Sequence, residues 1–192
     1  MEIILSLCVG IGLSAACGFR VFVPPLVMSF AAIMGHLPLG ENFAWIGTYP
    51  ALIAFAIATV VEVAGYYIPV VDHLLDVVAT PTAIAVGTLM TAAVFPDADP
   101  LLKWTLAAIA GGGSAGIIQS ITGITRLSST AITVGLGNSL LSTIEGIGSV
   151  ILSVMAIFVP FLAVGLVSAL LILFGQKGLK LLSMKRDNPI KS

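Results

Sequence analysis

Apolar runs separated by short polar interruptions fill the chain, and no run leaves a polar face for water to meet. The first, 3–35, is too long for one straight span, and Gly18, Arg20 and Pro24-Pro25 interrupt it. One helix should therefore end and a second, short one begin inside the membrane zone. Residues 36–45 form the first polar loop, and 50–67 a second span with proline at its first helical position. Pro69 introduces a short amphipathic turn over 70–76; a third span follows Thr80-Pro81 and ends at Phe95. The loop 96–100 is the clearest boundary in the chain. A glycine-crowded fourth span covers 101–121, and 123–130 is expected to be unwound. Two last spans fill 131–174, with Gly146, Gly148 and Pro160 as expected breaks, and a basic tail follows.

At about 20 apolar residues per span, this pattern predicts an all-α polytopic membrane helix bundle of about six spans. A single transmembrane domain over 1–176, in halves of about 1–95 and 101–176, would precede a tail at 177–192. The halves resemble each other. Gly10 and Gly12 lead through Ser14 to Arg20, and Gly111 to Gly113 lead through Ser114 to Arg126. Tyr66-Tyr67-Ile68-Pro69 returns as Ile157-Phe158-Val159-Pro160, an offset of 160 − 69 = 91 residues. Three spans per half would invert one half relative to the other, so an inverted 3+3 repeat with interrupted or re-entrant helices is expected, the plan of many secondary transporters.

Composition sharpens the class. Of the 192 residues 58% are hydrophobic and 9% charged, against about 25% charged in soluble domains. Mean hydropathy is +1.15. Cytosolic enzymes, secreted disulfide scaffolds and nucleic-acid binders are excluded, the last also by a net charge of −1. Cys8 and Cys17 read as small packing residues. Five of the eight Lys and Arg (Lys177, Lys180, Lys185, Arg186, Lys191) lie in the tail. The positive-inside rule then predicts a multi-pass protein of the inner (plasma) membrane with a cytoplasmic C-terminus. Six spans would return the N-terminus to the same side, with the Glu41 and Asp97-Asp99 loops outside.

An ionisable side chain at membrane depth costs ~2.5–3.5 kcal/mol on insertion scales, so each one needs a reason. Asn138, Ser142, Glu145 and Ser149, spaced four, three and four, stack on one helical face. Gly112, Gly116, Gln119, Gly123 and Arg126 make a second such stripe, which could equally be a close-packing face. An unwound 123–130 stretch would place Arg126, Ser128, Ser129 and Thr130 around free N–H groups, an anion site. Substrate-binding candidates are therefore Arg20, Gln119, Arg126, Ser128, Ser129, Thr130 and Asn138. Proton-coupling candidates are Glu62, Glu145, Asp72, His73 and Asp76. Arg20 and Arg126 could share one interior site with Glu62 and Glu145 as pairing partners, but separate interfacial or structural roles are the favoured expectation. No catalytic, metal or cofactor motif is present.

Gly12-Leu13-Ser14-Ala15-Ala16-Cys17-Gly18-Phe19-Arg20-Val21-Phe22-Val23-Pro24 and the run from Ile68 to Pro81 (Ile-Pro-Val-Val-Asp-His-Leu-Leu-Asp-x-x-Ala-Thr-Pro) are distinctive. With Gln119, Arg126-x-x-Ser129-Thr130, Gly137-Asn138-Ser139 and Glu145, the chain resembles bacterial proteins grouped as domain of unknown function 4126. That resemblance implies a small bacterial integral membrane protein and no activity, and it singles out Arg20, Asp72, Asp76, Arg126, Asn138 and Glu145. The expected function is a transporter or channel for a small or amphipathic anionic solute, with possible proton coupling. A membrane scaffold or assembly subunit and a membrane lipid-phosphate enzyme are the alternatives. Its expected partners are the lipid bilayer, with a small anionic solute or lipid phosphate and a homo-oligomer as further possible ones, and no nucleic acid.

Overall fold

The computed structural model describes residues 2–95, 99–133 and 136–186; side chains at 2, 69, 70, 72, 73, 130–133, 136, 175 and 177–186 are outside that description. Every element of the described residues is helical. Helix α1 spans Glu2–Cys17, α2 Val23–Ile33, α3 Tyr49–Gly65 and α4 Pro69–Val94. Then come α5 Pro100–Leu106, α6 Gly113–Thr133, α7 Leu136–Phe158 and α8 Pro160–Arg186. A 3-10 turn, Glu41–Gly47, precedes α3, and a π-helical turn, Ala107–Gly112, joins α5 to α6.

Local chemistry sets most ends. Pro24 and Pro25 sit in the first turn of α2, where a missing N–H is harmless. At its other end Gly35, with φ 74°, takes the left-handed conformation. Gly35 N–H then donates to Ala32 O and His36 N–H to Ala31 O, the paired bonds of a Schellman stop. Thr48 caps α3 through Ala51 N–H, and Asp99 caps α5 through Leu101 and Leu102 N–H.

Contacts between helices fix their directions. Along α1, Gly10 lies on Thr91, Ser14 bonds Thr91 Oγ1 (2.8 Å) and Gly87 O, and Gly18 meets Ile118. Helices α1 and α4 are therefore antiparallel, whereas α1 and α6 run the same way, Thr122 reaching Gly18 O at 3.4 Å. On the other side, Gly12 lies against Ala156 and Ser149 bonds Ala16 O at 3.0 Å, so α7 opposes α1. Helix α2 starts beside Glu62 near the end of α3. The loop after it reaches Ala93 O through Gly40 N–H, at the far end of α4. Chain direction thus reverses at 18–22, and the seven legs α1, α2, α3, α4, α5–α6, α7 and α8 alternate. The core between them is closed by small residues: a Cβ on Gly87 would lie 2.6 Å from Ala115 Cβ.

Several expectations are corrected. The break in the first apolar run is a reversal, which makes two legs of one expected span and puts residue 2 and the end of α8 at opposite ends of the bundle. The glycine-rich helices α1 and α6 run parallel, so a relation between the halves built on them is not an inversion. Residues 123–130 are helical, and two of their hydroxyls are satisfied within the helix: Thr125 donates to Ile121 O (2.8 Å) and Ser128 to Ile124 O (2.9 Å). Pro69–Val94 is one helix with Pro81 inside it; Pro81 and Val77 sit on an exposed face where nothing opposes the distortion. Gly146 and Gly148 lie within continuous α7, while Pro160 does mark a break.

Candidate functional site

Four helices, α3, α4, α6 and α7, bring charged or polar groups to one level of the bundle, that of the 18–22 reversal. Arg20, 1% exposed, lies in the reversal between α1 and α2. Its Nη2 donates to Ser142 O at 2.8 Å and to Ser142 Oγ, and lies 3.7 Å from Glu145 Oε2. Arg126 of α6 holds the same carboxylate side-on, Nε to Oε1 at 3.1 Å and Nη2 to Oε2, and its Nη1 reaches Asp76 Oδ1 of α4 at 3.2 Å. Both guanidinium groups lie over the Tyr66 ring, 3.9 Å for Arg20 and 4.0 Å for Arg126 from carbon to centroid. A flat, weakly hydrated cation stacks well on an aromatic face. Glu145 is thus one carboxylate shared by two buried cations.

Glu62 has another task at the same level. Its Oε1 accepts from Val21 N–H at 2.8 Å and its Oε2 from Phe22 N–H at 3.0 Å. It satisfies the donors at the start of α2 and holds the reversal closed against the positive end of that helix. Ser149 serves the end of α1 in the opposite sense, its hydroxyl donating to Ala16 O at 3.0 Å.

Bonding is unequal between the arginines. Among the described residues, Arg20 Nε and Nη1 are buried without a hydrogen-bond partner. Buried polar groups are paired in the large majority of cases, and an unmade bond costs about 1–3 kcal/mol, more for a charged group. Arg126 by contrast has two carboxylates.

Of the sequence-derived candidates, Arg20, Arg126, Glu145 and Asp76 touch one another directly or through one shared group, and Glu62 adjoins them. Asn138 is buried one turn before Ser142 on the same face of α7, and Gln119 is buried two turns before Arg126 on α6. Ser128 lies on the exposed side of α6, bonded to its own helix, and does not join the cluster; Ser129 is half-buried. The side chains of Asp72, His73 and Thr130 lie outside the described residues. Sequence reasoning missed Tyr66 as a site residue. Its signal was available: it follows Glu62 by four positions, on the same face at the end of an apolar helix. Lys103 was missed too; it is buried at the opposite end of the bundle, its Nζ 5.3 Å from the Phe43 ring centroid.

Among the described residues three stretches, Leu74–Val94, Pro100–Ser129 and Gly137–Phe158, are long and apolar enough to cross a membrane, and a fourth counts if Glu41–Gly47 and Tyr49–Gly65, bent by 65°, act together. With the apolar exterior and the buried charge cluster, they define a helical membrane protein. Over residues 7–176 the chain matches the family described as Domain of unknown function (DUF4126), and it belongs to that family. No curated protein and no solved structure matches it.

Proposed function

We propose that this protein carries a small or amphipathic anionic solute across the membrane, coupled to a proton, with Arg20 as the principal binding group. One observation carries the reading: a guanidinium 1% exposed, with two of its nitrogens lacking any acceptor. Charge bookkeeping supplies the coupling. In the empty site Glu145 and Asp76 together balance the arginine pair, and the charge of Glu62 is partly offset by the start of α2. When Glu145 takes a proton, one negative charge is lost from between two cations, and a solute carboxylate or phosphate restores it. Proton and anion thus enter together, because either alone leaves an unbalanced buried charge. Gln119 and Asn138 are the neutral groups that would complete the solute's shell.

With the basic tail cytoplasmic, the reversal at 18–22 and the charge cluster lie toward the cytoplasmic face, and the Glu41 and Asp99 loops lie outside. A second reading, an assembly subunit, draws on an open groove of about 540 Å³ along α4 and α6, lined by Ile84, Gly112, Gly116 and Ser120.

The test is uptake of radiolabelled acetate, lactate and phosphate into proteoliposomes of purified protein, with and without an inward proton gradient. Gradient-driven uptake of at least one anion is expected. Arg20→Lys should assemble but lower uptake roughly 10–100-fold, as losing a charged hydrogen bond of ~1.5–3 kcal/mol implies; lysine loses the planar fork. Uptake absent for every anion, with a stable oligomer of the purified protein, would favour the assembly reading.

A further inference from the structure

Helices α3 and α4 hardly touch beyond their shared turn, and between them lies a groove of about 490 Å³. That is within the ~300–1,000 Å³ of small-molecule sites. Its walls are aliphatic, Ala54, Ala58 and Ala79 among them, and its rim carries Ile57, Val61 and Val78, which are 60, 65 and 51% exposed. In a membrane protein that rim meets lipid chains. The inner end is different in chemistry: it is formed by Val21, Phe22, Glu62 and Tyr66. Glu62 has both oxygens occupied by the Val21 and Phe22 N–H groups. Tyr66 is the wall shared with the charge cluster, its ring lying against the groove and against Arg20. An apolar trough open to lipid therefore ends one aromatic ring away from a buried guanidinium with two open donors.

We propose that the groove seats the hydrocarbon chain of a single-chain anionic amphiphile, of the fatty-carboxylate type, whose head passes Tyr66 to reach Arg20. This rests on the anion reading above and narrows it to a substrate class. The volume admits one chain: at ~30 Å³ per water-sized group the open groove holds roughly sixteen such groups. Charge complementarity sets the head: what the site lacks is an acceptor for Arg20. Tyr66 is the positioning residue, because its ring must swing or slide for the head to meet the guanidinium.

The experiment uses the full chain in nanodiscs of phosphatidylcholine, with binding of radiolabelled palmitate competed by hexadecanol and by acetate. Acetate binding is also measured directly. Palmitate should bind at least tenfold more tightly than either competitor. Ala58→Phe fills the groove without touching Arg20; it should weaken palmitate at least tenfold and leave acetate unchanged. If Ala58→Phe fails to assemble, Ile57→Asn on the exposed rim replaces it, with the same expectation. Hexadecanol binding as tightly as palmitate overturns the anionic head. Palmitate no tighter than acetate, or indifferent to the groove variant, overturns the groove while leaving anion binding intact. Neither anion binding at all overturns the anion reading and this inference with it.

Discussion

Tyr66 holds the arginine pair by shape as much as by charge. Two guanidinium groups share Glu145 and would repel each other across a low-dielectric interior; the ring between or beneath them supplies a second, partly compensating attraction. A desolvated cation–π contact is worth ~2 kcal/mol or more, and it needs the ring, not the hydroxyl. Tyr66→Phe should therefore keep a melting temperature close to that of the parent in detergent. Tyr66→Leu should lose about 2 kcal/mol or more, read as a lower melting temperature and a higher aggregated fraction. Equal loss in both variants would place the role in the hydroxyl instead. The cluster's charged members were legible in the sequence, because an ionisable residue in an apolar run is conspicuous whatever the fold. Tyr66 was not, since an aromatic residue near a helix end reads equally well as an interfacial anchor, and only the approach of α1 and α6 gives its ring two cations.

Helix spacing was legible in the same uneven way. The α7 stripe could be read from periodicity because a helix fixes which residues share a face, and Asn138, Ser142, Glu145 and Ser149 are all buried. The 123–130 stretch misled: serines and threonines suggest a loop, yet Thr125 and Ser128 each donate to the carbonyl four residues back and the helix persists. Direction was also hidden, since Gly18 and two prolines announce a break but not its angle. What sets the angle is packing between helices, and there the glycines divide into two kinds. A Cβ on Gly87 would meet Ala115 Cβ at 2.6 Å and Gly111 O at 3.3 Å, whereas one on Gly146 would meet nothing within 4 Å. Gly87→Ala should therefore destabilise by ~1–3 kcal/mol through overpacking of α4 against α6. Gly146→Ala should be neutral or gain up to ~1 kcal/mol from helix propensity. Steric-trap or thermal unfolding in detergent measures both, and a Gly87→Ala variant as stable as the parent would show that this crossing has room to spare.

At the scale of the whole molecule, the alternation of seven legs makes the two ends of the described chain face opposite sides. Residue 2 begins at the end that also holds the Gly40 turn, Lys103 and the α7–α8 break, where His36 stacks edge-on against Phe158 at 5.7 Å. Helix α8 starts there as well, with Ala163 close to Gly12, and runs back through about 40 Å at ~1.5 Å per residue. Its final turns, with Lys177, Lys180, Lys185 and Arg186, lie toward the end that holds Arg20 and Arg126. The basic residues of α8 therefore belong to the end that carries Arg20 and Arg126 together with Glu62, Asp76 and Glu145, and Glu41, Asp99 and the buried Lys103 belong to the other. The alternation puts residue 2 and the end of α8 at opposite ends of the bundle, so a cytoplasmic basic tail would place the N-terminal end outside. A reading with six legs would require the same side for both. Epitope tags on the two ends of this chain decide it: in intact cells whose surface is exposed, antibody or protease should reach the N-terminal tag, and the C-terminal tag only after permeabilisation. Two tags protected together or exposed together would mean that the chain does not reverse at 18–22 in the membrane, and that Arg20 and Arg126 are not at one level.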